Sequence, residues 1–222
     1  LMPSEFCAEF YDRKSNKNLY LGIPKYDTEL KKEEILNKYD LSPDKKYVTY
    51  IAPKARDQGI VDNRDVMSYL HHSGYIILFK SRGKDPIDPE WRSMLKKLGH
   101  YSFEDTSWYP HTTQELLEIS DLAINFGSTT IEECVMHNVP LINFDVKPAV
   151  RNGSKRPYRV THEYLYDYNY CIQLEKDFSY NQYLTAVNYL TSTDLTEEFK
   201  KSRKSHLFDY KDSCRKILDV LI

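Results

Sequence analysis

One stretch of this chain gathers groups that bind phosphate and sugar: Asn125-Phe-Gly-Ser-Thr-Thr-Ile-Glu-Glu133. Gly127 permits a tight turn, and the residues after it open a helix whose unpaired N–H groups carry partial positive charge. Ser128, Thr129 and Thr130 add hydroxyls at the same point. One glycine and a helix start are then enough to hold a diphosphate. Glu133 falls on the helix face opposite Ile131 and Val135, which leaves its carboxylate free for the two hydroxyls of a ribose. The same residues admit a plainer use. Thr129-x-x-Glu132 and Thr130-x-x-Glu133 both match the capping box that any helix start can employ.

Two basic segments stand near this stretch in the chain. In Lys80-Ser-Arg-Gly-Lys-Asp-Pro86, the side chains of Lys80, Arg82 and Lys84 suit a phosphate, or equally a solvated loop. In residues 147–163, Arg151, Lys155, Arg156 and Arg159 could neutralise a diphosphate or keep a long loop wet. His162 and Glu163 are adjacent and point apart in either regular structure, so they make a poor acid–base pair. No histidine or carboxylate spacing suits a metal, and no metal or cofactor is expected. The seven glycines never come closer than nine residues. Neither G-x-G-x-x-G nor G-x-x-x-x-G-K-[ST] can therefore be written anywhere in the chain.

The elements that position these residues alternate. Tyr47 to Ala52, Tyr75 to Phe79, Tyr101 to Phe103, Asp121 to Phe126 and Pro140 to Phe144 read as strands rich in β-branched and aromatic residues. Helices fall between them, from Asn63 to His72, from Pro89 towards Gly99, from Thr112 (a capping box with Glu115) to Ile119, and from Ile131 to Asn138. Strand–helix–strand units with short connections predict an α/β fold, a Rossmann-like parallel sheet flanked by helices. Ligands of such sheets bind outside the carboxyl ends of the strands, where Lys80 and Gly127 both fall. A last strand, Tyr170 to Leu174, precedes helices over 181–191, 195–204 and 210–221. Residues 1–35 read as a linker segment with a short strand over 18–22, and residues 36–222 as the domain.

Composition narrows the class. Lys and Arg number 31 against 33 Asp and Glu, a balance unlike that of a nucleic-acid binder. The 19 tyrosines fit half-buried positions of an aromatic-rich core rather than base stacking. No apolar run approaches the roughly 20 residues of a membrane helix, so any membrane association would be peripheral and is not encoded here. The four cysteines form no C-x-x-C pair, with Cys134 and Cys214 in apolar-periodic segments. That pattern predicts free thiols and a cytoplasmic compartment.

The stretch from Glu115 to Phe144 resembles the nucleotide-binding signature of the GT-B superfamily. It is similar to the C-terminal half of UDP-N-acetylglucosamine 2-epimerases and of glycosyltransferases and glycerophosphotransferases of surface-polysaccharide synthesis. Gly22-Ile-Pro-Lys-Tyr-Asp27 resembles the linker into the second domain, Lys46 to Pro53 its first strand, and Phe208 to Leu218 its closing helix. The resemblance implies a domain that binds a UDP- or CDP-linked sugar donor. Gly127, Ser128 and Thr129 would receive the diphosphate and Glu133 the ribose. It also implies partners: an N-terminal domain of the same protein, which would supply the base, and a glycan acceptor. The epimerases carry Ser-Gly-Gly where this chain has Gly-Ser-Thr, and the glycerophosphotransferases usually carry a His-Pro after the second strand, where the loop Lys80-Ser-Arg-Gly-Lys-Asp-Pro86 holds no histidine. An epimerase-like isomerase and a non-catalytic interaction module are the other two readings.

Overall fold

Tyr47-Val-Thr-Tyr-Ile is apolar or β-branched at every position, as a strand covered on both faces must be. In the computed structural model, which describes residues 4–10, 15–53, 63–82, 86–105, 112–144, 165–175, 177–208 and 212–222, it forms most of strand β1 (Lys46–Ile51). Five more strands follow: β2 (Tyr75–Lys80), β3 (Tyr101–Phe103), β4 (Leu122–Asn125), β5 (Leu141–Phe144) and β6 (Cys171–Leu174). All pairings are parallel, in the order β3-β2-β1-β4-β5-β6. This is the Rossmann order, and its reversal point lies between β1 and β4.

Alternate side chains of β1 enter opposite layers. Val48 and Tyr50 join the larger core with Val66 and Leu70 of helix α3 (Asn63–His72) and Tyr183 and Val187 of α7 (Tyr180–Ser192). Tyr47 enters a second core with Ile35 and Leu36 of α2 (Lys32–Lys38) and Leu116 and Ile119 of α5 (Thr112–Ile119). The remaining helices are α1 (Glu5–Phe10), α4 (Pro89–Lys97), α6 (Thr130–Met136), α8 (Thr196–His206) and α9 (Ser213–Leu221). Among the described residues no helix is long and apolar enough to cross a membrane.

Several expectations are corrected. The strand expected over 18–22 is a single bridge at Tyr20, because Gly22 at φ 76° turns the chain into the 3-10 turn Pro24–Tyr26. Glu115, expected in a capping box with Thr112, is engaged across the fold. Its carboxylate accepts two bonds of 2.8 Å from Lys38 Nζ and another from the Tyr39 hydroxyl, tying α5 to α2. Cys7, Cys134 and Cys171 are buried, whereas Cys214 is exposed, and none of the four is in a disulfide.

His100 gives the fold a sensitivity to acid. The ring is 7% exposed and its Nδ1 accepts the Ile77 N–H at 3.2 Å, so the proton of the neutral ring sits on Nε2, which is buried with no hydrogen-bond partner among the described residues. Burial, and then the nearby His71 ring, hold its pKa down to about 4 against an ordinary 6.5. The unfolded chain therefore binds a proton in the window between these values that the folded chain refuses. Stability is complete above pH 6.5 and is expected to fall by about 3 kcal/mol as pH drops towards 4. Urea unfolding across this range should lose that part of its slope in His100→Gln. An unchanged slope would rule the histidine out.

Candidate functional site

The turn after β4 is built from below by two asparagines. Asn125 and Asn143 are register partners at the ends of β4 and β5, 0% and 1% exposed. Asn125 Nδ2 donates to Asn143 Oδ1 at 2.9 Å and to the Ser128 carbonyl at 3.2 Å. Asn143 Oδ1 also accepts the Gly127 N–H at 3.1 Å, and Asn125 Oδ1 accepts the Ser128 N–H at 3.3 Å. Each buried amide thus satisfies backbone groups that a strand end leaves open. Gly127 sits at φ 57°, the left-handed region that favours glycine.

This arrangement redistributes the donors of the turn. The Gly127 and Ser128 N–H groups point inward to the asparagines, and the Ser128 hydroxyl lies 3.1 Å from that of Thr130. Ser128 and Thr130 are buried, whereas Thr129 is exposed. Among the described residues nothing takes the Thr129 N–H or hydroxyl, and Thr129 makes no side-chain cap on α6.

Neither glutamate of α6 forms a capping box. Glu132, 8% exposed, accepts the Tyr26 hydroxyl at 3.0 Å, and burial pushes its carboxyl above the usual range while Lys25 and Tyr26 pull it back. The Glu133 carboxylate lies 3.1 Å from Lys25 Nζ. Both reach outward to the 3-10 turn because that turn packs over the first turn of α6.

Lys80, expected to face a phosphate, is 2% exposed. Its ammonium donates to the Ser81 carbonyl at 2.7 Å and pairs with Asp105 Oδ2 at 2.7 Å. Arg82 is half-buried at the same edge. Beneath the edge runs a row of rings: Phe79 and Tyr50 with centroids 5.4 Å apart, Tyr50 and Phe126 at 5.5 Å, and Phe126 and Phe144 at 5.2 Å. These contacts give the loops a firm floor. Lys84, Arg151, Lys155, Arg156, Arg159, His162 and Glu163 lie outside the described residues.

A cleft of about 300 Å³ opens on the opposite, amino edge, between Lys46, Tyr75, Asp121 and Pro140 on the sheet side and Thr191 and Phe199 on the helices. Its lining includes none of the residues gathered around Gly127. The sheet's own topology points to the other edge, where the chain ends of β1 and β4 diverge.

No protein-family model matches the sequence, and no curated protein matches it significantly. Solved structures do resemble it. The wall teichoic acid polymerase TagF superposes with a TM-score of 0.66 at 18% identity, over 99% of this chain and 56% of that one. WaaG, a glycosyltransferase involved in lipopolysaccharide biosynthesis, gives 0.53 at 14% identity, over 99% and 55%. The UDP-GlcNAc 2-epimerase of Methanocaldococcus jannaschii, solved with UDP-GlcNAc and UDP, gives 0.51 at 15%, over 99% and 59%. The chain therefore spans a little over half the length of these proteins. Its fold is the Rossmann-like α/β domain of the GT-B type.

Proposed function

We propose that this domain binds the nucleotide end of an activated sugar or polyol donor. It is the donor-binding half of a glycosyltransferase-type enzyme of surface-polysaccharide synthesis. The observation that carries this reading is the position of the Gly127–Thr130 turn at the reversal point between β1 and β4. The donor diphosphate lies over that turn, where the exposed Thr129 offers its N–H and hydroxyl, with Arg82 at the same carboxyl edge after β2, on the far side of β1. Gly127, Ser128 and Thr130 shape the turn, and Glu133 accepts the ribose hydroxyls. Donors fixed at this edge stabilise the negative charge that develops on the leaving diphosphate. The acceptor and the base that activates it belong to the other half of the enzyme. Support comes from neighbours of the same fold, one of them solved with UDP-GlcNAc and UDP and two concerned with cell-surface polymers.

Calorimetric titration of UDP, CDP and GDP tests the proposal: at least one should bind, and no heat from any at millimolar concentration would overturn it. The two glutamates then separate. Glu133→Ala is expected to weaken the bound nucleotide about tenfold or more, the worth of hydrogen bonds to a charged acceptor. Glu132→Ala should leave affinity within about threefold and instead lower the melting temperature, since the Tyr26 hydroxyl loses its buried acceptor. Equal losses of affinity would refute the assignment. Sugar transfer by the whole enzyme, as opposed to an isomerised sugar nucleotide, separates a transferase from a 2-epimerase.

A further inference from the structure

The ribose carboxylate assigned above already has a cationic partner, and it comes from the linker. Lys25 Nζ lies 3.1 Å from Glu133 Oε1 and 4.0 Å from Glu132 Oε1, across 108 residues of sequence. The two side chains of the Lys25–Glu133 pair keep 27% and 17% of their exposure. An ion pair between long, mobile side chains at a surface contributes little, because ordering them cancels the attraction. This pair is different because its lysine is held from both sides. Pro24 begins the turn. Tyr26 is buried, bonded to Glu132 and packed against Phe208 with ring centroids 5.9 Å apart. Asp27 accepts the Ser213 and Cys214 N–H groups at 2.9 and 2.5 Å, fixing the turn to the start of α9. The Lys25 ammonium also sits 4.5 Å over the Tyr26 ring.

We infer that Lys25 is a positioning residue for nucleotide binding, holding the Glu133 carboxylate oriented for the ribose diol. This rests on the nucleotide reading given above. A carboxylate fixed in one rotamer loses less freedom when it accepts two hydroxyls. The Lys25 charge beside Glu133 also offsets the repulsion between this carboxylate and the donor diphosphate. The linker thereby becomes part of the donor site, and its position and ribose recognition are linked.

The test uses the full chain and whichever of UDP, CDP or GDP binds most tightly, beside its 2′,3′-dideoxy counterpart. Lys25→Met is expected to weaken the ribonucleotide about tenfold and the dideoxy nucleotide less than about twofold, as for coupled groups in a double-mutant cycle. Lys25→Arg should recover affinity to within about threefold, since it restores the charge at a similar reach. A merely structural pair would lower the melting temperature and move both ligands alike, and that result overturns the inference. So does Lys25→Met binding the ribonucleotide as tightly as the parent chain. Absence of any nucleotide binding by the parent chain overturns the nucleotide reading itself, and this inference with it.

Discussion

Asp105→Ala is expected to destabilise the domain by about 3–5 kcal/mol, the cost of leaving one member of a buried ion pair without its partner. The side chains of Lys80 and Asp105 are 3% and 5% exposed, with 2.7 Å between Nζ and Oδ2. Lys80 ends β2, and its main chain is already committed: its carbonyl accepts the Ala52 N–H at 2.9 Å. The buried ammonium would be left beside the Ser81 carbonyl without its carboxylate partner. For a chain of this size the loss corresponds to a melting temperature lower by roughly 10 °C. Lys80→Met with Asp105→Leu removes both charges and should recover most of that stability, as buried pairs replaced together often do. If Asp105→Ala melts within a degree or two of the parent chain, the pair does not hold this edge. If the double replacement melts as low as the single one, the loss belongs to packing and not to charge.

The pair also marks where sequence reasoning stops. Strand periodicity, short turns and the order of βαβ units made the parallel sheet legible, and the Gly127 turn at its carboxyl edge with it. What the letters concealed was the use of each polar group. Lys80 looks like a loop lysine because its acidic partner stands at residue 105, beyond another helix and strand, and only the β2–β3 pairing brings them together. Glu132 and Glu133 fit capping boxes by spacing alone, yet both are drawn to a turn more than a hundred residues away in the chain. Local patterns describe bonds within a turn or two of helix; a bond across the fold competes with them and wins when its partner is rigidly held. The asparagines did leave a trace. Ile-Asn-Phe occurs at 124–126 and again at 142–144, and two strands ending on the same triplet place equivalent side chains side by side in a parallel pair.

That repeat leads to the prediction bearing most directly on the site. Asn143→Ala is expected to cost about 2–4 kcal/mol, because removing one oxygen takes an acceptor from the buried Asn125 amide, which keeps the Ser128 carbonyl, and from the Gly127 N–H. Asn125→Ala should cost a similar amount, since it takes the acceptor from the Ser128 N–H and one of two donors from Asn143 Oδ1. The double replacement should fall short of the sum by about 1 kcal/mol or more, as expected where two residues share one network. Nucleotide affinity should fall in all three proteins by about tenfold, even where calorimetry is run well below the melting point. The turn would be free to relax from the geometry that presents Thr129. Additive stability losses would mean that the asparagines act separately. Unaltered affinity in a folded Asn143→Ala protein would mean that the turn does not depend on them, and that whatever it binds is held by other groups at the carboxyl edge.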